Sequence, residues 1–184
     1  MMKLYIICNT DNSVLHIGTS PIGDNPIEIE VDASNQDVLF NPSIYKFIDG
    51  QLIKDESGEL LSAQKQKDAE LNDSCRQAIL GGFNHVINGI EYHFSFDTEA
   101  QLNFQGSRSL LEGGIVQTID WTVQRDGVYD RIPVDKALMD ELSMVILNHK
   151  DGNVRKYRNQ LLPLVYEATT VDDVRAITWD TVTA

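Results

Sequence analysis

The stretch HVINGIEYHFSFD, residues 85–97, carries two histidines and two carboxylates within thirteen positions, a density that could hold a metal ion or perform acid–base chemistry. Chelation by His85 and His93 needs both rings on one side of the chain. Asn88-Gly89 lies between them, and such a pair favours a two-residue type I′ turn because both central residues adopt positive φ. With that turn, Ile87 faces Ile90, His85 faces Tyr92 and Phe83 faces Phe94. Alternation then places Phe83, His85, Ile87, Ile90, Tyr92, Phe94 and Phe96 on one face, and Asn84, Val86, Glu91, His93 and Ser95 on the other. The histidines point to opposite sides. A register slip that united them would carry the aromatic face into water. The sequence therefore reads as an aromatic hairpin laid on helices, with His85 a satisfied histidine at the core's edge.

Other chemistry-bearing groups read the same way. Glu28, Glu30 and Asp32 alternate along PIEIEVD and could offer oxygens to a hard cation, but alternating charge also keeps the outer face of an edge strand soluble. Arg155, Lys156, Tyr157 and Arg158 form a basic cluster that reads as a solvated helix flank around a buried Tyr157. Cys8 and Cys75 stand 67 positions apart with no C-x-x-C, as buried inert thiols. The chain has no G-x-S-x-G elbow, P-loop, H-E-x-x-H pair or G-x-G-x-x-G turn. A glycosidase needs only two suitably separated carboxylates, and 28 acidic residues leave that arithmetic open. The expectation is a protein without catalytic, cofactor-binding or metal-binding residues, needing no cofactor, and not an enzyme.

KLYIIC and SVLHIG read as a hairpin around NTDNS, PIEIEVD as a half-buried strand, and IYKFIDGQLIKD as a hairpin through Asp49-Gly50. Residues 1–60 hold three basic and ten acidic residues and form a small β-rich module, with a short linker near 55–62. From Ser62 the period becomes helical, with Leu71, Cys75, Ala78 and Ile79 on one stripe and a stop at Gly81-Gly82. After the aromatic hairpin, DTEAQLNFQGSRSLLEGG predicts a helix capped by Asp97 or Thr98, turning Leu102 and Leu110 or Leu111 inward. IVQTIDWTVQRDGVYDRIPV predicts two strands around Asp126-Gly127. A helix capped by Asp135 follows, with Val134, Leu138, Leu142, Val145 and His149 inward and Gly152 after its end. The next helix buries Val154, Tyr157, Leu161, Leu164 and Val165, and Pro163 must kink or divide it. Thr170, three residues before Asp173, caps a last helix that buries Val171, Val174 and Ile177, with Trp179 as its anchor. The fold class is α+β: the β-module, then a helix-hairpin-helix-hairpin domain over 61–184 that closes with a C-terminal helical hairpin.

Fifteen basic against 28 acidic residues leave a net charge of -13, which repels phosphate backbones and anionic lipid. Nucleic acid is not an expected partner. The opening MMKLYIICNTDN is too short for a signal or a membrane span, so no membrane insertion is expected and the chain is expected to be made in cytoplasm.

Four pieces in order carry a resemblance: the helix into GGFNHVINGIEYHFSFD, DTEAQLNFQG with its Q-x-N-Φ-x-G core, IDWTVQRDGV, and YEATTVDDVRAITW. Together they resemble a family of domains at the C-terminal ends of tailed-bacteriophage tail-fibre and baseplate proteins, over about residues 64–180. The final piece also resembles the end of phage fibre-assembly proteins. Pro163 departs from the family's pattern, in which that helix runs on unbroken. The resemblance implies a virion component of the tail tip, baseplate or fibre, made in the host cytoplasm. It would contact other tail or baseplate proteins in several symmetric copies, with the β-module as docking end and the rest as a terminal head. An assembly chaperone absent from the finished particle is the alternative. A module binding host cell-surface glycan is the second alternative, with Trp121, Tyr92 or Trp179 as its platform. The family supplies no catalytic residue to carry over.

Overall fold

A computed structural model describes residues 1–32 and 37–183. The fold is mixed α+β, strand-rich at the start and helical at the end. Two compact units divide it: Met1–Asp68 with Val165–Ile177, and Ala69–Leu164 with Thr178–Ala184. The sequence suggested a boundary at residue 60; the units part at Asp68, within a helix, and the first reclaims a late segment.

In the first unit, β1 (Met2–Cys8) lies between β2 (Val14–Gly18) and β3 (Ile27–Val31), all antiparallel. The β1–β2 turn is tied by Asp11, whose carboxylate accepts from the Ser13 amide (3.1 Å) and hydroxyl (2.6 Å). A short α1 (Asp37–Phe40) and a 3-10 turn lead to β4 (Tyr45–Ile48) and β5 (Gln51–Lys54). Leu4, Ile6, Val14, Ile17, Ile29, Val38, Ile44 and Tyr45 form its core. Helix α2 (Glu56–Leu80) then begins at once, so the expected linker at 55–62 is helical. Asp55 explains the early start. Its carboxylate takes the amides of Ser57 and Gly58 and pairs with Lys46 at 2.9 Å, while Glu56 and Glu59 place negative charge on the first turn.

In the second unit, β6 (Phe83–Ile87), β7 (Ile90–Phe94), β8 (Thr118–Arg125) and β9 (Val128–Asp135) form a sheet in chain order, with α3 (Thr98–Glu112) inserted between β7 and β8. The β6–β7 register is Ile87↔Ile90, His85↔Tyr92 and Phe83↔Phe94, as the Asn88-Gly89 turn requires. Asp49-Gly50, Asn88-Gly89 and Asp126-Gly127 all have positive φ at both positions. Gly82, at φ +92°, joins α2 to this sheet; a Cβ there would stand 2.2 Å from the Phe94 carbonyl oxygen. Phe83 stacks on Phe94 at 5.3 Å and meets Phe96 edge-on at 5.9 Å, at the centre of a core shared with Tyr92, Leu111, Val123, Val134, Met139 and Leu142.

Helix α4 (Lys136–Arg155) is capped by Asp135, which accepts from the Leu138 amide at 2.9 Å. It runs through Gly152 instead of stopping before it, and continues as a π-helical segment, Lys156–Leu161, into α5 (Leu162–Glu167). Pro163 accounts for that division. Its ring clashes with the carbonyl four residues back in an α-helix, and the wider π turn, with the Leu162 amide bonded to the Tyr157 carbonyl, gives the ring room. The last helix, α6 (Val171–Ala176), is capped by Thr170, and Val174 and Ile177 are buried. No helix among the described residues is long and apolar enough to cross a membrane.

Candidate functional site

The histidines of the opening stretch sit on opposite faces of the β6–β7 ribbon. His85 Nε2 lies 2.7 Å from Glu141 Oε1 on α4, and His93 Nδ1 lies 2.9 Å from Asn84 Oδ1. Among the described residues no three histidine, cysteine or carboxylate side chains converge as metal ligands. Glu28 of the carboxylate row is engaged by Lys3 at 2.8 Å, whose hydrogen bond holds it below the usual carboxylate range. Burial pushes the thiols of Cys8 and Cys75 upward, so both remain protonated at neutral pH.

Two expectations about the last helices need correction. In the RKYR cluster the buried residue is Lys156, at 7% exposure, with its Nζ 4.7 Å from the Trp179 ring centre; Tyr157 is only half-buried. Leu164 is exposed as well. The exchange of Lys156 for Tyr157 follows from the π turn, which takes an extra residue per turn and so buries Lys156 and Leu161, five apart, where an α period selects Tyr157 and Leu161. His149, read from sequence as one more stripe member, has a defined role. Its Nε2 donates to the Ile79 carbonyl at 3.1 Å, and its ring lies 5.7 Å from that of Phe83. Of the three rings considered for a glycan, Tyr92 is buried, Trp121 is half-buried against Phe104 at 5.9 Å, and Trp179 lies under Lys156.

Two open grooves of the second unit flank α3. Asp97 caps this helix, accepting from the Ala100 amide at 2.8 Å. Leu111 is buried as expected, but Leu102 is 68% exposed and Leu110 is exposed too. At 3.6 residues per turn Leu102 stands about half a turn around the helix from Phe104 and Leu111, which hold the core side. One groove, of about 670 Å³, runs between α3 and α4. Phe96, Phe104 and Ile146 floor it, Met144 and Leu147 stand open at 58% and 57% exposure, and Gln101, Gln105, Arg108, Asp140 and Lys150 form its rim. A second groove, of about 540 Å³, lies on the other flank of α3, against β8. Met144 and Leu147, three residues apart on α4, were a signal available in the sequence, since neither belongs to the stripe of Leu138, Leu142 and Val145.

Residues 62–179 match the family described as Domain of unknown function (DUF4376), which is more than half of the 184-residue chain. The chain belongs to the DUF4376 family. No curated protein and no solved structure matches it. Both grooves lie wholly within the DUF4376 region. Its Q-x-N-Φ-x-G stretch, residues 101–106, divides between them: Gln101 donates to the Phe96 carbonyl at 3.0 Å and Phe104 packs inward, while Asn103 and Gly106 face the groove beside β8.

Proposed function

We propose that this DUF4376 chain is a non-enzymatic structural component of a bacteriophage or prophage-derived tail, at the tail tip, baseplate or fibre, acting through contacts with other tail proteins. The observation that carries the reading is the α3–α4 groove. It has an apolar floor, two open and adaptable side chains in Met144 and Leu147, and a rim of amides and mixed charges, which is the anatomy of a protein contact surface. The resemblance of the ordered sequence pieces to tail-fibre and baseplate domains supplies the setting. Binding would bury the floor on a neighbour, while the net charge of -13 keeps unassembled copies apart. The groove lies in the second unit, so this reading gives the helical region a docking role that the sequence had suggested for the β-module.

Mass spectrometry of gradient-purified particles, compared with the soluble lysate, tests the proposal. Wild-type chain should appear at stoichiometric copies per particle, and Met144→Glu with Leu147→Glu should remove it from particles while leaving the soluble protein folded. Presence in the lysate alone would sink the tail-component reading and make the assembly chaperone the better one.

A further inference from the structure

Strand β8 has eight residues and β7 five, and they pair through His93↔Gln124. The two-residue turn at Asp126-Gly127 makes Arg125↔Val128 a hydrogen-bonded pair, so Val123, Trp121 and Ile119 direct their backbone groups to β9. Gln124, Thr122 and Asp120 direct theirs to the opposite edge. Gln124 meets β7 there, but β7 has ended before it reaches the other two. The 540 Å³ groove follows this overhang. Its sheet wall consists of the consecutive residues 119–123 with Tyr129 of β9 beside them; the consecutive run marks an edge, because a strand met face-on presents alternate residues. Its helical wall is the α3 flank of Glu99, Leu102, Asn103 and Gly106, the i, i+3, i+4 and i+7 positions of one helix face.

We propose that an extended segment of a partner protein, with a basic side chain at its centre, adds as a β-strand between β8 and α3. The proposal rests on the protein-contact role above and gives that role a partner chemistry. The outward Thr122 amide and carbonyl offer main-chain hydrogen bonds; at Asp120 the carbonyl already accepts from Arg131 at 3.0 Å, leaving the amide. Charge selects the guest. Asp97, Glu99 and Asp120 line the groove, against one guanidinium at its edge, that of Arg131 on the Asp120 carbonyl. Alternate guest side chains would meet the exposed Leu102 and the half-buried Trp121. Gly106 is an independent sign: in the interior of α3 it costs helix stability, yet a Cβ there would meet nothing within 4 Å in the chain itself. Its missing side chain leaves room for a guest.

A random library of linear peptides, selected against the full chain and followed by calorimetric titration of the enriched peptides, tests this. Lysine or arginine flanked by apolar, β-branched residues should be enriched. Thr122→Pro removes the outward N–H without touching the β9 ladder and should weaken binding about tenfold, whereas Thr122→Val should leave it within about twofold. Gly106→Ala should raise the Tm and weaken the peptide, a combination that a purely structural glycine would not give. Should Thr122→Pro not fold, Glu99→Lys on the open helix flank should weaken binding severalfold, more at low salt than at high. No enrichment, enrichment indifferent to charge, or binding unmoved by Thr122→Pro or by Glu99→Lys would overturn the proposal. Particle mass spectrometry is independent of the selection. A chain absent from particles that still selects basic strands loses the tail reading and keeps the groove, and the converse result loses the groove alone.

Discussion

The two units solve the same packing problem with different residues. The first closes a three-stranded sheet and a hairpin on an aliphatic core of leucine, isoleucine and valine with one tyrosine. The second builds its centre from Phe83, Tyr92, Phe94 and Phe96, with rings stacked or edge-on and His149 packed among them. Aliphatic side chains fill volume with little preference for orientation. Ring pairs also specify which residue faces which, so the aromatic unit holds its strands by side-chain geometry as well as by turns.

That contrast breaks most visibly at Phe94, 2% exposed and stacked on Phe83. Phe94→Ala should cost about 4 kcal/mol, and Leu4→Ala in the aliphatic core about 3 kcal/mol. Trp121 and Trp179 both belong to the second unit, so denaturant unfolding followed by tryptophan fluorescence reads the first change, while amide exchange in β1–β3 reads the second. Costs in proportion to the volume deleted at each site would mean that the rings add nothing beyond their volume. Gly82→Ala comes next. Positive φ and the Phe94 carbonyl together should make it cost about 3 kcal/mol, measured in the same fluorescence transition.

The smallest effect lies in the first unit and depends on pH. Lys46, and the Gly58 and Ser57 amides to a lesser extent, hold the Asp55 carboxyl below its ordinary value of 3.8. A depressed carboxylate stabilises the fold fully above its unfolded value and loses that contribution as pH falls through the folded value. Asp55→Asn should therefore be less stable than wild type at neutral pH, and the gap should narrow as pH drops from about 5 to about 2. A gap independent of pH would assign Asp55 a packing role alone.

The sequence was most legible where structure is local. Three Asn-Gly or Asp-Gly pairs fixed three hairpins, and alternation around Asn88-Gly89 gave the β6–β7 register residue by residue. Asp97, Asp135 and Thr170 were readable as caps for the same reason. The errors fell where a helix broke its own period or where distant segments decided the outcome. Leu102 reads as buried on hydrophobicity alone, yet Phe104 and Leu111 settle which side of α3 faces the core. Lys156 displaced Tyr157 because a π turn has no hydrophobic signature of its own, although Pro163 marked the place. Met144 and Leu147 stand off the core stripe of α4 in the sequence, but the walls of neither groove could be placed from it. One needs α3 and α4 side by side, and the other needs the single β7–β8 pairing, which no turn sets.

The π turn also carries a consequence for chain length. A π-helical turn holds one residue more than the α turn it replaces, so the segment Lys156–Leu161 contains a surplus that an uninterrupted helix would not keep. Proline makes the surplus permanent. Shorten the segment by one residue and the Pro163 ring meets the carbonyl four positions before it; replace the proline as well and an ordinary helix of the shorter length becomes available. The length of this stretch and the identity of one residue beyond it are therefore coupled, and changing both should cost less than the two changes made separately would sum to.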